Sequence, residues 1–462
     1  MRTVNPHAAG VDIGAHASMA GVPDGDDQPI VRAFGTSTAA LASLADWCMD
    51  RGSQTVAMAS PGVSWMPLFE TLEARGIPGW LLSAQSLTPV PGRKSDVLDC
   101  QWLQTLPSDG LLSASFRPEA DGVALRTLLR HRAPRLDHRA PPILHMPKAR
   151  LQMHIQESQA LSDVTGGTGQ GILRAMVAGA RAPRRLAALR HYRCTKDADA
   201  IALALTGTWR EAHLFVLTPA LALCDVSTAQ LSACEAQSER PCAVMQPRFA
   251  PAPQAPAPGE ATTPSRRKPH AQSKNAPEVN PRAHILRLTG VDLVAVHGIS
   301  DALAQTMLAE VGTDMATWPD DKHGCAGLGL APKHDISGGK VLQSRTRKHR
   351  NRAAQAFRMA AQSVLRADCA FGAFSRRLQG RLGPAQARVA TAHTIARPVY
   401  HMLKDRVPSP DLGAAEYNQR FREREIQYVQ TKAAKLGYTL SPASEVSPQA
   451  ELFLSKRWLG PS

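Results

Sequence analysis

Residues 8–23 read AAGVDIGAHASMAGVP, and the placement of Asp12 inside this apolar stretch decides how the first quarter of the chain is read. Small and β-branched residues on both sides of one aspartate mark a buried strand that carries a single polar group to a site. Downstream, PIVRAFGTS (29–37) is a strand partner for this stretch and TAALASLADWCMDRG (38–52) has helical periodicity. TVAMAS (55–60) is a further strand, WMPLFETLEARG (65–76) a helix, and IPGWLLSAQ (77–85) another strand. This alternation predicts a mixed sheet flanked by helices, in the order of the ribonuclease H-like fold, where acidic groups at strand ends and on a later helix gather around a divalent cation.

The later acids are in PGRKSDVLDC (91–100), which offers Asp96 and Asp99 three residues apart and therefore on one face of a helix. Hard carboxylate oxygens suit Mg²⁺ or Mn²⁺, and a pair of such ions activates the attacking oxygen and stabilises the leaving one in phosphodiester chemistry. Taken singly, each aspartate also fits a plainer role, as a turn residue or a solvated helix face. The GVDIG string also fits the sugar kinase and actin-like ATPases, but no second glycine-rich phosphate turn follows.

Composition favours a polyanionic partner: 54 Lys and Arg against 39 Asp and Glu give a net charge of +15 over 462 residues. The eight cysteines are scattered and form no CxxC pair, which points away from a zinc site or a disulfide framework and toward a reducing cytoplasm. No signal-like N-terminus and no run of about 18 apolar residues is found, so the expectation is a soluble cytoplasmic protein without a membrane, nucleoid-associated when bound to DNA.

Domain boundaries follow from composition. Residues 1–115 form the α/β region, and residues 116–243 a helical, coiled-coil-like middle region. Residues 244–284 are a flexible proline-rich linker with a basic knot at Arg266, Arg267 and Lys268. Residues 285–405 form a mainly helical basic domain, and residues 406–462 carry a tail helix. Within the middle region, Pro134, Pro141, Pro142 and Pro147 interrupt a helical pattern; each interior proline costs about 3 kcal/mol, so a straight helix is not expected there.

After the linker, ILRLTGVDLVAVHGISDALAQTMLAEVG (285–312) reads as a helix-hairpin-helix joined at His297, Gly298 and Ile299, a module whose hairpin N–H groups hold a DNA phosphate without reading sequence. Then follows a small-residue loop with Ser337, Gly338, Gly339 and Lys340. It leads into a basic run through Arg345, Arg347, Lys348, Arg350, Arg352 and Arg358, with Lys333 and the lone acid Asp335 before it. Backbone N–H groups and a lysine around Ser337 provide a setting for a hydroxyl to attack a phosphate.

The strings HAAGVDIGA, WLLSAQSLTPVPGRKSDVLDCQWLQTL, GLLSASFRP, LTGVDLVAVHGI, GLAPKHDISGGKVLQSRTRKHRNRAAQAFRMAAQS and ATAHTIARPVYHML together resemble transposases of the insertion-sequence one-ten family, most closely its eleven-eleven subgroup. The similarity follows nearly the whole chain in order. It implies a RuvC-like domain with a DEDD metal site, a helical coiled-coil segment used for dimer contacts and for holding RNA, and a C-terminal transposase domain with a nucleophilic serine. The implied activity is DNA strand cleavage and rejoining through a phosphoserine link, by a homo-oligomer, with a structured guide RNA that pairs with target and donor DNA.

Carried onto this chain, the first, third and fourth acids fall on Asp12, Asp96 and Asp99, the metal ligands, and the nucleophile on Ser337. Nucleic-acid contacts fall on Arg93, Lys94, Gly298, Lys340, Arg345, Arg347, Lys348 and Arg350. Two positions depart from the pattern: Ala59 stands where the second acid belongs, and Gly327 where a tryptophan is expected. Two contrasting readings are a decayed copy that binds nucleic acid without cutting and a Holliday-junction resolvase that cleaves branched DNA without Ser337.

Overall fold

The computed structural model describes residues 4–25, 27–59, 62–82, 95–111, 114–117, 120–156, 165–192, 194, 196–247, 275–277, 279–346, 351–409 and 411–440. They fall into two compact units, Met1–Arg117 and Pro118–Ser462.

The first unit is built on a five-stranded sheet of order β3-β2-β1-β4-β5. Its strands are β1 (Ala8–Ile13), β2 (Ala17–Asp24), β3 (Asp27–Gly35), β4 (Thr55–Ala59) and β5 (Gly79–Leu81). Helices α1 (Thr38–Asp50), α2 (Met66–Glu73) and α3 (Asp96–Ser108) accompany it. The stretch 8–23 is two strands, since the chain turns at Gly14, whose N–H donates to the Ala17 carbonyl at 3.0 Å. β1 runs antiparallel to β2 and parallel to β4, and is the central strand. Its Ala9, Val11 and Ile13 side pack one face with Val56, Met58, Leu44, Leu68 and Leu72. The other face takes α3 at very close range: a Cβ on Gly10 would lie 2.4 Å from the Gln104 backbone nitrogen. Only glycine lets the helix approach so near.

In the second unit, α4 (Ala120–Gln152) is followed by α5 (Gly167–Val177), α6 (Pro183–Ala187), α7 (Ala198–Ala204) and α8 (Glu211–Val244). Against the expectation that prolines interrupt a helix over residues 123–164, α4 runs unbroken to Gln152 and contains Pro134, Pro141, Pro142 and Pro147; it ends there, and residues 157–164 lie outside the described residues. Packing explains the difference. Pro142 is buried and the other three are exposed, but the carbonyls that the four prolines leave without a donor belong to exposed Arg130, Asp137 and His138 and half-buried Ile143, where water can reach them. The Arg130 carbonyl, freed by Pro134, accepts from Arg352 Nη1 at 3.5 Å. On the opposite side α4 packs along α8, tied by the buried Arg132–Glu235 ion pair at 2.6 Å. By length and composition α8 also passes as a membrane span, although no such stretch was expected; its contacts with α4 are those of a helix in a layered pair.

The remaining elements are α9 (Pro281–Thr289), a 3-10 turn (Leu293–Ala295), α10 (Asp301–Val311), α11 (Asp321–Gly327), strands β6 (Pro332–Ser337) and β7 (Lys340–Thr346), and α12 (Arg352–Ser363). Helices α13 (Ala370–Leu382), α14 (Pro384–Asp405) and α15 (Gly413–Lys435) end the described chain. Ile285, Leu308, Phe357, Ile395 and Leu403 are among the residues of one shared core. α4 belongs to the same unit: Arg130 makes a bidentate pair with Glu310 at 2.9 and 2.8 Å, and Arg126 Nη2 donates to the Glu310 carbonyl at 2.7 Å near the end of α10. The architecture is thus an α/β N-terminal unit and a helical C-terminal one. The basic knot of the linker, Arg266 to Lys268, lies outside the described residues, while Asn275 after it is held by Arg132 and Arg139 of α4.

Candidate active site

Asp12 sits near the end of β1, and its register partner across the parallel β1–β4 pair is Ala59. Strand alternation puts both on the α3 side with Gly10 and Ala57. α3 brings the other acids there, its first turn carrying Asp96 and Asp99 behind the N-cap Ser95, whose side chain accepts from Leu98 N–H at 3.3 Å. Cys100 fixes the start of this helix. Its thiol donates toward the Gly10 carbonyl at 3.3 Å and the Met19 carbonyl at 3.2 Å, and burial pushes its pKa up to about 12. Further along, Gln104 Nε2 donates to the Ala8 carbonyl at 3.2 Å. Cys100 and Gln104 were not singled out in the sequence; the signal that marks them is their helical spacing on the face that also meets Gly10.

Asp12 senses the other two carboxylates. Burial raises the Asp12 pKa, the negative charges of Asp99 and then Asp96 raise it further, and a backbone hydrogen bond at Ile13 opposes them. Repulsion among hard oxygen donors is the electrostatic setting that a divalent cation relieves, so the donor chemistry fits such an ion. Among the described residues, however, no group of three His, Cys, Asp or Glu side chains gathers closely enough to hold a metal. Ala59 faces the same side of the sheet as Asp12. It is buried in a small apolar cluster with Ala57, Leu82 and Leu103, against Trp80, so a methyl group in hydrocarbon surroundings stands beside Asp12.

The serine lies in the other unit, at the tip of a hairpin rather than in a loop. Ser337 and Lys340 are the last register pair of β6 and β7, and Gly338 and Gly339 between them have φ of 54° and 74°. Two consecutive left-handed residues make a type I′ turn, a conformation that Gly-Gly adopts without steric cost. Every residue of β6 is exposed, and Lys340 and Arg345 on β7 are exposed as well. Of the other nucleic-acid candidates, Arg93, Lys94, Arg347, Lys348 and Arg350 lie outside the described residues. Gly298 is half-buried, its φ is 92°, and a Cβ there would come within 2.6 Å of the Ala360 carbonyl oxygen of α12 and of Cγ1 of Val364 just after it. Its carbonyl accepts from Ser363 Oγ at 3.2 Å, and neighbouring His297 pairs with Asp411 at 3.1 Å. Packing therefore dictates glycine at this position whatever else the hairpin does.

Gly327 has a partner as well. Trp318 lies over it, with Nε1 3.1 Å from where a Cβ would be, and the same ring borders Gly324. Trp318 also lines an apolar cavity of about 30 Å³ with Met307, Phe357 and Tyr400, a packing defect of the core without polar chemistry.

Two parts of the chain match known families. Residues 9–146 match a DEDD-type profile described as Transposase, and residues 292–376 match the profile described as Transposase IS116/IS110/IS902 family. The chain carries IS110-family transposase domains. No curated protein matches it. The first match contains Asp12, Ala59, Asp96 and Asp99, and the second contains the whole β6–β7 hairpin. Transposase domains of this kind bind DNA and act in its cleavage and transfer during transposition of an insertion sequence, and the DEDD type is generally dependent on a divalent metal.

Proposed function

We propose that this chain is a transposase that cleaves and rejoins DNA through a phosphoserine intermediate, within a homo-oligomer and guided by a structured RNA. The first unit is then RuvC-like and the second contains a helix-hairpin-helix. The observation that supports the reading is the register pairing of Asp12 with Ala59, together with the charges of Asp99 and Asp96 felt at Asp12; on this reading Ala59 occupies the place of the fourth acid.

Asp12, Asp96 and Asp99 would hold Mg²⁺ or Mn²⁺, and the ion supplies charge neutralisation at the scissile phosphate when bound. Ser337 is the nucleophile, its oxygen displacing a DNA 3′ or 5′ oxygen at phosphorus and so preserving the phosphodiester energy for rejoining. Lys340, its register partner, is placed to neutralise charge on that phosphate. Arg345 and the neighbouring Arg347, Lys348 and Arg350, together with Arg93 and Lys94, hold the DNA backbone. The protein works in the cytoplasm on nucleoid DNA. Loss of the second acid to Ala59 leaves the cation underneutralised, so strand transfer is slower than a full acid set would allow.

A strand-transfer assay with element-end DNA, Mg²⁺ and the cognate guide RNA tests this on wild type, Ser337→Ala and Ala59→Glu. Product in wild type that disappears in Ser337→Ala supports the reading. Product only in Ala59→Glu identifies a decayed copy, and Ser337-independent cutting of branched DNA identifies a junction resolvase.

A further inference from the structure

The β6–β7 hairpin has two chemically distinct faces. Register places Lys333 opposite Arg345, Asp335 opposite Gln343 and Ser337 opposite Lys340, and alternation makes these one polar, mainly basic face. On the other face Ile336 pairs with Val341, and a bulge between Asp335 and Ile336 leaves Leu342 as an extra residue on β7. Ile336, Val341 and Leu342 are 63%, 56% and 72% exposed. Isolated apolar residues on a surface are ordinary, but three adjacent ones at the tip of an exposed hairpin contribute to no core.

We infer that Ile336, Val341 and Leu342 form a wedge that enters a DNA base step and unstacks it beside Ser337. Apolar side chains inserted between bases, with cations on the flanking phosphates, are the way proteins open or kink a duplex. Here the two components are back to back on one hairpin: Lys333, Lys340 and Arg345 offer the phosphate contacts and the opposite face offers the wedge. A second copy of the hairpin is the poorer occupant, because Lys333, Lys340 and Arg345 call for an anionic partner and a second copy brings three more cations, its Asp335 already paired with Lys333 at 3.3 Å. The inference rests on the transposase reading of this hairpin and adds a task for residues outside its chemistry: opening the helix where the serine acts.

The test needs no knowledge of the target sequence. Full-length protein is titrated with a labelled short duplex and with the same duplex carrying a central mismatched bubble, in which the unstacking cost has been removed in advance. Wild type is expected to prefer the bubble by about tenfold. In the variant Ile336→Thr, Val341→Thr, Leu342→Thr, which keeps β-propensity while removing apolar surface, the preference falls to within about twofold. The pair Lys333→Ala, Arg345→Ala weakens binding to both probes and keeps the ratio. Circular dichroism and a melting curve check that each variant is folded. Binding to both probes without preference, or a preference that survives the threonine variant, overturns the wedge alone. Self-association of wild type that the threonine variant abolishes, with no bubble preference, also overturns it. Absence of any DNA binding overturns the transposase reading and the wedge with it.

Discussion

Asp12 and Ala59 are register partners on adjacent parallel strands, and both look toward α3. Whatever side chain stands at 59 therefore shares the immediate surroundings of Asp12, and the aspartate's raised pKa shows how little room there is for another negative charge without a counter-ion.

Ala59→Glu is expected to cost about 1–3 kcal/mol in metal-free buffer, because it buries a carboxylate among Ala57, Leu82 and Leu103 next to like charges. Mg²⁺ should return part of that cost. Thermal melting of wild type and variant with and without Mg²⁺ checks this: a variant midpoint no more responsive to the ion than wild type refutes it.

Gly298→Ala should destabilise the second unit by about 2 kcal/mol or more, since it forces a left-handed residue and a clash with α12 at 2.6 Å. Any loss of DNA binding by this variant will thus accompany a loss of stability in urea unfolding. A variant as stable as wild type would show that α12 yields, and would return Gly298 to a purely ligand-directed role.

Pro134→Ala is expected to stabilise the protein by about 1–2 kcal/mol, because it restores an N–H to a helix that is already continuous, less the entropy that proline removes from the unfolded chain. The Arg130 carbonyl would then exchange its long contact with Arg352 for an intrahelical bond. A lowered melting temperature would contradict the account of α4 given above.

Burial holds the thiols of Cys48 and Cys325 at pKa values of about 12 and about 11, above the ordinary 9.0. The raised folded value means that their stabilisation is complete below pH 9 and is lost as pH rises toward those values. At about pH 10.5 each should have forfeited roughly 2 kcal/mol. Urea unfolding at pH 8 and at about pH 10.5 should show a fall that shrinks in Cys48→Ala and in Cys325→Ala.

Much of the first unit was legible because strand and helix periods differ and because β1 is apolar except for Asp12. Sequence also singles out Ala59, but its register pairing with Asp12 is visible only in the sheet. What could not be read was anything set by partners distant in sequence. The split of 8–23 at Gly14 depends on a pairing with Ala17, and the survival of α4 depends on α8, on Arg352 and on water. Ser337 reads as part of a glycine turn and is the last residue of the strand before it; that the turn ends an exposed two-faced hairpin follows from the register of β7, which sequence leaves open. For Cys100, helical spacing marks the buried face but not the Gly10 and Met19 carbonyls that its thiol reaches, which are remote in sequence.

Trp318 lying over Gly327 has a consequence for how this chain can change. The ring fills the place that a side chain at 327 would claim, so the two positions form a single packing decision. A tryptophan introduced at the exposed position 327 must first displace the Trp318 ring, and a small residue at 318 alone enlarges the adjacent cavity. Related sequences should therefore carry an aromatic ring at one position or the other and seldom at both, and the exchange Trp318→Gly with Gly327→Trp should be tolerated better than either half.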